Sequence, residues 1–468
     1  MVSLTSQLIK TTGLYLLGTA GSKIVLASLI PIYAIWITPS DLGEFDFVQT
    51  AASILAPLVF VASWESVIRF AMGADRGRAN RVIADLQWFA IVTGCSICVS
   101  AAVFYMLSNA EVAETILVVS TLLVAQGLAM LWQYSARSLS QRRLFAISGV
   151  LSAIVNVVLL LICCVLFDLG FVGLYVAYLI SQIVIFTIIE VNCRFLAKVS
   201  FFRLPSLQSC GYLYRFSAPL VLNLIAMLAI SGFGRLLITS RLGPEENGQY
   251  VLALKIGMLI AAVGSVLTMA SIEETVSRIG SDSLSTFFGT MISGYWDVLL
   301  SLASLVIVFV WAMLPLLENT QYADAFNLVP AMVLFAVLSS MATTYGNAFQ
   351  ATLRMGAIAY TTMVAAAVCV GASLGLVEVW GATGVAAALC IGTLVLLLLR
   401  AVIAHRLIRF ELPRRLPLTF GWFALVAILF LIRDSISSVV VIFTVALGLV
   451  GGMWQGFSAL KRLRAISG

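Results

Sequence analysis

The sequence predicts an all-α polytopic membrane protein with about fourteen transmembrane helices, arranged as two pseudo-repeated six-helix lobes plus two C-terminal helices. Of its 468 residues, 62% are hydrophobic and only 10% are charged, and the mean hydropathy is +1.09. Because a soluble domain carries about 25% charged residues, this chain lacks the polar surface that it would need in water. No polar stretch is long enough for a separate soluble domain, so the architecture is nearly all membrane.

Fourteen apolar blocks account for the predicted helices, since a spanning helix needs roughly 20 apolar residues. They lie near residues 12–37, 44–68, 82–107, 115–137, 144–167, 171–193, 215–240, 248–272, 288–316, 325–350, 355–377, 382–404, 417–432 and 438–458. The block at 417–432 is short, whereas several others are long enough to tilt or to extend into the cytoplasm. The first block is too long for a signal peptide, and we interpret it as the first span.

The basic residues predict which ends of the helices face the cytoplasm. With the N-terminus inside, 22 of the 27 Lys and Arg residues, Arg400 among them, fall in cytoplasmic segments. The other five lie in outside loops (Arg241 and Arg433) or within spans (Lys23, Arg235 and Lys255). An even number of spans therefore leaves both termini in the cytoplasm, and the net charge of +6 reflects this topology and not nucleic-acid binding.

Other function classes lack the residues that they need. No Gly-Lys dipeptide occurs, so the phosphate-binding loop of ATP hydrolases is absent. Cys95 and Cys98 have the spacing of a redox or zinc pair, but they lie within a span without a second pair, and we predict that they pack as apolar residues. The single His, His405, lies in a cytoplasmic basic loop, and the outside loops are short. We therefore predict no catalytic residue, no metal site and no enzyme activity.

Two pairs of short motifs indicate an internal repeat. The segment 39-PSDLGEF-45 matches 244-PEENGQY-250 at an offset of 205, and 170-GFVGLYVA-177 matches 381-GATGVAAA-388 at an offset of 211. Each motif is predicted to open a helix after an outside turn. The matches predict duplication of a six-helix unit with both copies in the same orientation, an arrangement found in transporters.

The repeat divides the chain into three predicted regions. Residues 1–198 form the N-terminal lobe, residues 199–410 form the C-terminal lobe, and residues 411–468 form two additional helices and a basic cytoplasmic tail. In the first copy of the motif, Glu44 and Asp46 are predicted to lie in the first turn of the second helix, where acidic groups favour the helix dipole.

Six ionisable residues within the spans are candidate functional residues, because a charge in the bilayer is costly and usually faces a cavity or a partner. They are Lys23, Glu65, Arg69, Arg235, Lys255 and Asp297. Asp297 belongs to a polar stripe at helical spacing that also contains Thr290, Ser293, Ser301 and Ser304. This stripe predicts the wall of a water-filled cavity. The alternative is hydrogen bonding between helices, with Asp297 paired to a nearby cation.

The other candidates also have two interpretations. Arg235 and Lys255 either face a cavity or extend their charged ends toward the outer surface. Glu65 and Arg69, at positions i and i+4, form either a local ion pair or part of a gate. The two copies of the repeat do not share these charges, so the sequence predicts an asymmetric, cationic cavity. Lys and Arg are the usual partners of phosphate, which indicates an anionic substrate.

A further set of motifs suggests a family. In chain order they are 38-TPSDLGEFDFVQTAASIL-55, Arg69-Phe70, Tyr134 with Arg137, 140-SQRRLFAI-147 and 170-GFVGLYVAYLIS-181. This order resembles the polysaccharide transporters of the Wzx type, in the multidrug/oligosaccharidyl-lipid/polysaccharide (MOP) exporter superfamily. The resemblance covers most of the chain and is strongest in its N-terminal part. It implies two six-helix lobes that open alternately to each side of the membrane.

The resemblance also implies a function and a location. Such proteins flip undecaprenyl-diphosphate-linked oligosaccharide, an O-antigen or exopolysaccharide repeat unit, across the bacterial cytoplasmic (inner) membrane. Lys23, Arg235 and Lys255 would then meet the diphosphate or acidic sugars, and Asp297 would carry a coupling ion, H⁺ or Na⁺. The two C-terminal helices would form a groove for the lipid tail. No cofactor is implied, and the partners are the lipid-linked substrate, membrane lipids, and a glycan polymerase and chain-length regulator of the same pathway.

Three alternatives stay open. A drug/cation antiporter of the same superfamily would usually have twelve spans and a more acidic cavity. A lipid II flippase shares the predicted number of spans and the cationic cavity. A membrane glycan polymerase or ligase belongs to another class, and the short outside loops disfavour it.

Overall fold

The structure is a computed structural model that describes residues 29–435, except 73, 109–110, 200–206, 279–282, 318–319, 353 and 412–414. Within these residues the chain is helical almost throughout and contains no β-strand. The predicted all-α fold class is therefore confirmed. Most of the first predicted span and all of the last, at 438–458, lie outside the described residues.

Thirteen α-helices, numbered α1 to α13, make up the described chain. They are α1 (Leu29–Trp36), α2 (Pro39–Val59), α3 (Ser63–Ala71), α4 (Arg76–Leu107), α5 (Glu111–Ser138), α6 (Arg142–Leu160), α7 (Gly170–Cys193), α8 (Leu207–Leu242), α9 (Pro244–Ser277), α10 (Ser283–Leu317), α11 (Ala325–Ala351), α12 (Met355–Ile408) and α13 (Leu416–Leu431). Short 3-10 turns lie after α7, at Leu196–Lys198, and after α13, at Arg433–Ser435.

Several helices are interrupted at identifiable residues. Helix α12 is two helices joined at Gly381, whose φ of 57° and ψ of −136° are not helical. Helices α2 and α3 are bent by 51° relative to each other, and Val61 and Ala62 between them have φ values of 48° and 44°. Helix α6 continues into a π-helical stretch at Leu161–Leu166.

The number of apolar helices among the described residues agrees with the spans predicted for that part of the chain. They contain nine helices that are long and apolar enough to cross a membrane, or ten if α2 and α3 form one bent span. Counting the two halves of α12 separately makes eleven. Helix α13 is the short apolar helix predicted at 417–432. The protein is therefore a multi-pass membrane protein.

The described residues divide into two compact units. Unit 1 contains residues 29–32 and 36–239, and unit 2 contains residues 33–35 and 240–435. Helix α8 therefore belongs mainly to unit 1, although the repeat predicts that it opens the C-terminal lobe. The lobe boundary at 198 is defined by sequence similarity and stays a prediction, whereas the packing divides the chain after Thr239.

Helix α2 begins earlier than predicted, at Pro39. Proline suits the first helical position because its missing N–H would have no helical partner there. The Thr38 side chain caps the helix by accepting a hydrogen bond from the Asp41 backbone N–H at 3.1 Å. As a result Asp41 lies in the first turn, and the prediction that Glu44 and Asp46 occupy it is wrong.

Asp41 also caps a second helix, α7. Its Oδ1 accepts a hydrogen bond from the Phe171 backbone N–H at 3.1 Å, 130 residues away in sequence. Gly170 begins α7 with a φ of 50°, and a Cβ atom there would lie 2.9 Å from Asp41 Oδ2. Glycine is therefore required at this position both by the backbone conformation and by the close carboxylate.

The paired sequence motifs occupy matching places in the fold. Pro39 and Pro244 are the first residues of α2 and α9. Gly170 and Gly381 both have positive φ, 50° and 57°, next to a helix start. Each motif therefore marks the start of a helix, as the sequence predicts, although a kink and not a separate turn precedes the one at Gly381.

Unit 2 is closely packed around α9, α11 and α12. Gly257 of α9 meets the backbone of α11, since a Cβ atom there would lie only 2.6 Å from the Met332 carbonyl oxygen. Helix α13 packs on α10, where the rings of Trp311 and Phe430 meet edge to face at 5.8 Å. The predicted lipid groove also needs the helix at 438–458, so it stays a prediction.

Candidate functional site

A buried ion pair joins α2 and α8 within unit 1. Arg235 Nη1 donates to Asp46 Oδ1 at 2.9 Å, and the two side chains are only 17% and 4% exposed. Arg235 Nε also donates to the Ser231 carbonyl at 3.0 Å, and the Thr50 hydroxyl donates to Asp46 Oδ2 at 3.4 Å. The two charges therefore compensate each other in a site with little access to solvent.

A glycine allows the two helices to approach at this point. Gly232 lies one turn before Arg235 on α8, and a Cβ atom on it would be 3.0 Å from the Thr50 methyl group and 3.3 Å from Ile54 Cδ1. The Arg235 side chain lies against α2 in this contact. The sequence predicted a cavity or a surface position for Arg235 and named no partner, because nothing local connects it to Asp46.

A second contact holds α8 against α3. The Ser66 hydroxyl donates to the Leu213 carbonyl at 2.7 Å in a buried position. Beside it, the Phe70 ring packs against the rings of Tyr212 and Phe216, with centroid distances of 5.3 and 5.1 Å. Helix α8 is therefore held at two places, by α2 near its C-terminal end and by α3 near its N-terminal end.

Glu65 and Arg69 lie on α3 but do not form the local ion pair that was one predicted interpretation, since their charged atoms are not within 4.0 Å of each other. Arg69 is exposed, and Glu65 is half-buried within electrostatic range of Arg137. Arg137 in turn lies over the rings of Tyr134 and Phe145, 6.0 and 5.7 Å from their centroids. The gate interpretation stays a prediction.

Lys255 lies in unit 2 against an aromatic ring. Its Nζ is 4.7 Å from the centroid of the Tyr33 ring, which is itself buried. Attraction between an ammonium group and the face of a ring accounts for this placement. Lys255 is half-buried, so its charge is neither deep in the apolar core nor fully extended into solvent.

Asp297 lies in the interior of unit 2, where it is 1% exposed. The predicted polar stripe runs inward from Thr290, which is exposed, to Ser301 and Ser304, which are buried. The two serine hydroxyls donate to carbonyls of their own helix, those of Asp297 and Leu300, at 2.6 and 2.9 Å. These bonds account for the buried serines without a cavity, and the ion-coupling role of Asp297 stays a prediction.

Arg400 is a buried cation that the sequence analysis assigned to a cytoplasmic segment and did not single out as a candidate. It lies in the second half of α12 and is only 6% exposed. Its Nη2 and Nε donate to the hydroxyls of Thr362 and Thr361 at 3.1 and 3.4 Å, and its Nη1 donates to the Ala342 carbonyl at 3.1 Å. The signal was present, because the apolar block predicted at 382–404 includes Arg400.

The candidate residues fall in different parts of the structure. Glu65, Arg69 and Arg235 belong to unit 1, Lys255 and Asp297 belong to unit 2, and Lys23 lies outside the described residues. Within the described part of the chain, no group of three or more His, Cys, Asp or Glu residues could hold a metal ion.

Comparison with known proteins identifies the fold. No family model and no curated protein sequence matches the chain. Solved structures do match. An inward-facing multidrug resistance MATE family transporter of the MOP superfamily aligns with a TM-score of 0.59 and 17% identity, covering 85% of this chain and 94% of that one.

Two more structures extend the comparison. An outward-facing MATE family transporter aligns with a TM-score of 0.54 and 16% identity, over 86% of this chain and 96% of that one. A MOP superfamily transporter from Pyrococcus furiosus aligns with a TM-score of 0.54 and 17% identity, over 86% and 96%. The chain therefore has the fold of MOP superfamily transporters.

Proposed function

We propose that this protein flips an undecaprenyl-diphosphate-linked oligosaccharide across the bacterial cytoplasmic membrane by alternating access. The fold is the observation that carries the transport part of the proposal. Structures with this fold have been solved facing inward and facing outward, which supports a cycle that exposes one site to each side in turn. The motifs shared with the Wzx type of transporter support the lipid-linked oligosaccharide as substrate.

Cations within the helices support an anionic substrate. Lys255 lies half-buried beside Tyr33, and the sequence places Lys23 within the first span. Arg235 adds less net positive charge than a free arginine would, because its ion pair with Asp46 compensates its charge. The Pyrococcus furiosus transporter is described as having a binding pocket of reverse polarity that suggests a different function, so this fold is compatible with more than one pocket polarity.

Each candidate residue has a role in the proposed cycle. Lys23 and Lys255 bind the diphosphate, because an ammonium group is a compact point charge suited to phosphate. Arg235 holds α8 against α2 through Asp46 and meets the substrate only when that pair opens. Asp297 carries the coupling H⁺ or Na⁺, and Glu65 and Arg69 belong to a gate. The flipped lipid-linked repeat units then pass to a glycan polymerase and chain-length regulator.

A deletion strain tests this function in cells. Without the protein, lipid-linked repeat units should accumulate in the cytoplasmic leaflet and surface polymer should fall. Plasmid-borne wild-type protein should restore the polymer, and so should the matched control Arg241→Gln, because Arg241 forms an exposed ion pair with Glu378. Normal polymer in the deletion strain would contradict the proposal.

The structural matches favour a second candidate, a drug/cation antiporter, because two of the aligned structures are multidrug resistance transporters. The same deletion strain separates the two functions. Loss of resistance to cationic drugs, with polymer unchanged, would support the antiporter. Loss of polymer, with resistance unchanged, would support the flippase.

A further inference from the structure

Helices α4 and α5 of unit 1 form an open groove of about 580 Å³. This volume is within the range of about 300–1,000 Å³ that small-molecule sites occupy. Five of the described residues that line the groove are apolar, Phe104 among them, and none is charged. The other four carry hydroxyl groups: Thr93, Ser96 and Ser100 of α4 and Ser120 of α5. The groove is therefore polar without being charged.

These four hydroxyl groups form no hydrogen bond with any described residue. Hydroxyl groups on helices can donate to a carbonyl one turn earlier, as Thr121 does beside the groove, to the Leu117 carbonyl at 3.0 Å. A hydroxyl group in an apolar environment is costly without a partner. Four uncommitted hydroxyl groups along one groove therefore favour a ligand that supplies hydrogen-bonding groups along its length.

The groove lies at bilayer depth. Helix α4 ends at Leu107, and the rise of a helix places Ser96 and Ser100 about 17 and 11 Å before that end. Half of the hydrocarbon core is about 15 Å thick, so the groove extends from near its middle toward the surface that the basic residues predict to be outside. Only 17% of the most apolar stretch of α4 is buried, the lowest share among the nine candidate spans of the described chain. Much of this helix is therefore open to a ligand.

The chemistry of the lining discriminates between ligands. A prenyl or acyl chain has no group that can bond the hydroxyls, and a diphosphate or a cationic drug would need an opposite charge that the lining does not supply. A sugar residue carries hydroxyl groups, which both donate and accept hydrogen bonds, and C–H groups on the faces of its ring. The serine and threonine hydroxyls match the first, and the exposed Phe104 ring matches the second.

We propose that this groove binds the uncharged sugar residues of the lipid-linked oligosaccharide. The inference rests on the proposed function, which supplies the ligand, and it adds a site for the part of the substrate that Lys23 and Lys255 do not bind. The hydroxyl groups of α4 and α5 exchange hydrogen bonds with those of the sugars. Because the groove is open along its side, the prenyl chain stays in the lipid.

Thermal unfolding of the purified full-length protein with two soluble probes tests the site, in a detergent without a sugar head group. One probe is a short-chain prenyl diphosphate, and the other is the same diphosphate bearing the repeat unit of the host's surface polymer. A ligand that binds only the folded state raises the unfolding temperature in a saturable way. We expect the sugar-bearing probe to reach half of its effect at a concentration at least tenfold lower than the sugar-free probe.

Three variants assign this difference to the groove. The double variant Ser96→Ala with Ser100→Ala removes two exposed hydroxyl groups and should abolish the difference by weakening the sugar-bearing probe alone. Ser100→Phe fills the groove and should have the same effect, which keeps the test valid if the double variant does not fold. The control is Thr187→Ala on α7, because the exposed Thr187 hydroxyl donates to the Ile183 carbonyl at 2.8 Å, and it should keep the difference.

Equal half-effect concentrations for the two probes in wild type would overturn the sugar site and leave the proposed function standing. No response to either probe would contradict both. Loss of the response to the sugar-free probe in the double variant would assign the groove to the prenyl chain. A change in the oligomeric state of that variant, measured by light scattering, would assign the groove to a second copy of the chain. Either of these last two results would also overturn the proposal.

Discussion

Asp46 and Arg235 are 189 residues apart in the chain and form a buried ion pair of 2.9 Å between α2 and α8. The distribution of basic residues predicts that the part of each helix that carries the pair faces outward. It joins a helix of the predicted N-terminal lobe to the first helix of the predicted C-terminal lobe, and both residues lie in unit 1. Any movement of α8 away from α2 must therefore separate these two charges.

Removing one partner of this pair should destabilise the protein. Arg235→Gln leaves Asp46 buried without its counter-charge, and breaking a buried pair in this way costs about 3–5 kcal/mol. We expect a lower unfolding temperature and less protein in the membrane. Both are measured on purified protein and by immunoblot of membranes.

Two controls isolate the pair. The double variant Asp46→Asn with Arg235→Gln removes both charges and should recover much of the lost stability. Arg241→Gln lies further along the same helix, in an exposed pair with Glu378, and should change stability by less than about 1 kcal/mol. Equal stability of wild type and Arg235→Gln would contradict the structural role of the pair.

Asp41 should stabilise α7 across a long sequence distance. Asp41→Ala removes the side chain that accepts from the Phe171 N–H, and loss of a helix cap costs about 0.5–2 kcal/mol. Hydrogen exchange should therefore rise in the first turn of α7. The matched control is Asp324→Ala, because Asp324 precedes α11 without capping it through its side chain. The account fails here if exchange in α7 is the same in Asp41→Ala as in wild type.

The sequence predicts where helices occur better than how they meet. Apolar length alone locates most spans, and the paired motifs predict the helix starts at Gly170 and Gly381, whereas α2 begins at Pro39, earlier than predicted. The bend after α2 has only Pro57 as a local signal, and the positive φ values fall on Val61 and Ala62, which are not residues that favour this conformation. It depends on packing, with the Phe60 ring lying directly against Gly127 of α5.

The site residues show the same limit. Hydropathy and repeat comparison singled out Arg235 as a charge without an equivalent in the other copy, but they could not show which acid it meets. Asp46 has no acidic equivalent either, because the offset of 205 places Val251 there. The sequence therefore offered one signal for this pair: two residues of opposite charge, neither of which has a charged equivalent in the other copy of the repeat. Arg400 was not singled out because the orientation rule counts a basic residue at the end of a span as cytoplasmic, and this rule says nothing about burial inside the protein.

Lys255 should matter for transport more than for folding. Lys255→Gln removes the ammonium group beside Tyr33, and we expect reduced surface polymer at a protein level close to that of wild type. Tyr33→Leu removes only the ring, whose attraction for an ammonium group is worth about 0.5–2 kcal/mol depending on exposure, and should have a smaller effect. Arg241→Gln is again the control. Full polymer in Lys255→Gln would exclude Lys255 from substrate binding.

Asp297 should govern the ion dependence of transport if it is the coupling residue. Asp297→Asn has nearly the same shape, so this 1% exposed position should tolerate it. We expect transport by the variant to lose its response to an imposed H⁺ or Na⁺ gradient. Asp324→Asn, an exposed acid of the same unit, should keep the response. An unchanged response in Asp297→Asn would assign Asp297 to structure alone.

The movement of a lipid-linked oligosaccharide between leaflets tests the central claim most directly. Purified protein is reconstituted into vesicles that contain a fluorescent polyprenyl-diphosphate oligosaccharide, and a membrane-impermeant reductant then quenches the outer leaflet. The account predicts that probe protected in protein-free vesicles becomes accessible when wild-type protein is present, and more slowly with Lys255→Gln. Protection equal to that in protein-free vesicles, from protein that still exchanges a cationic drug for H⁺ or Na⁺, would contradict it.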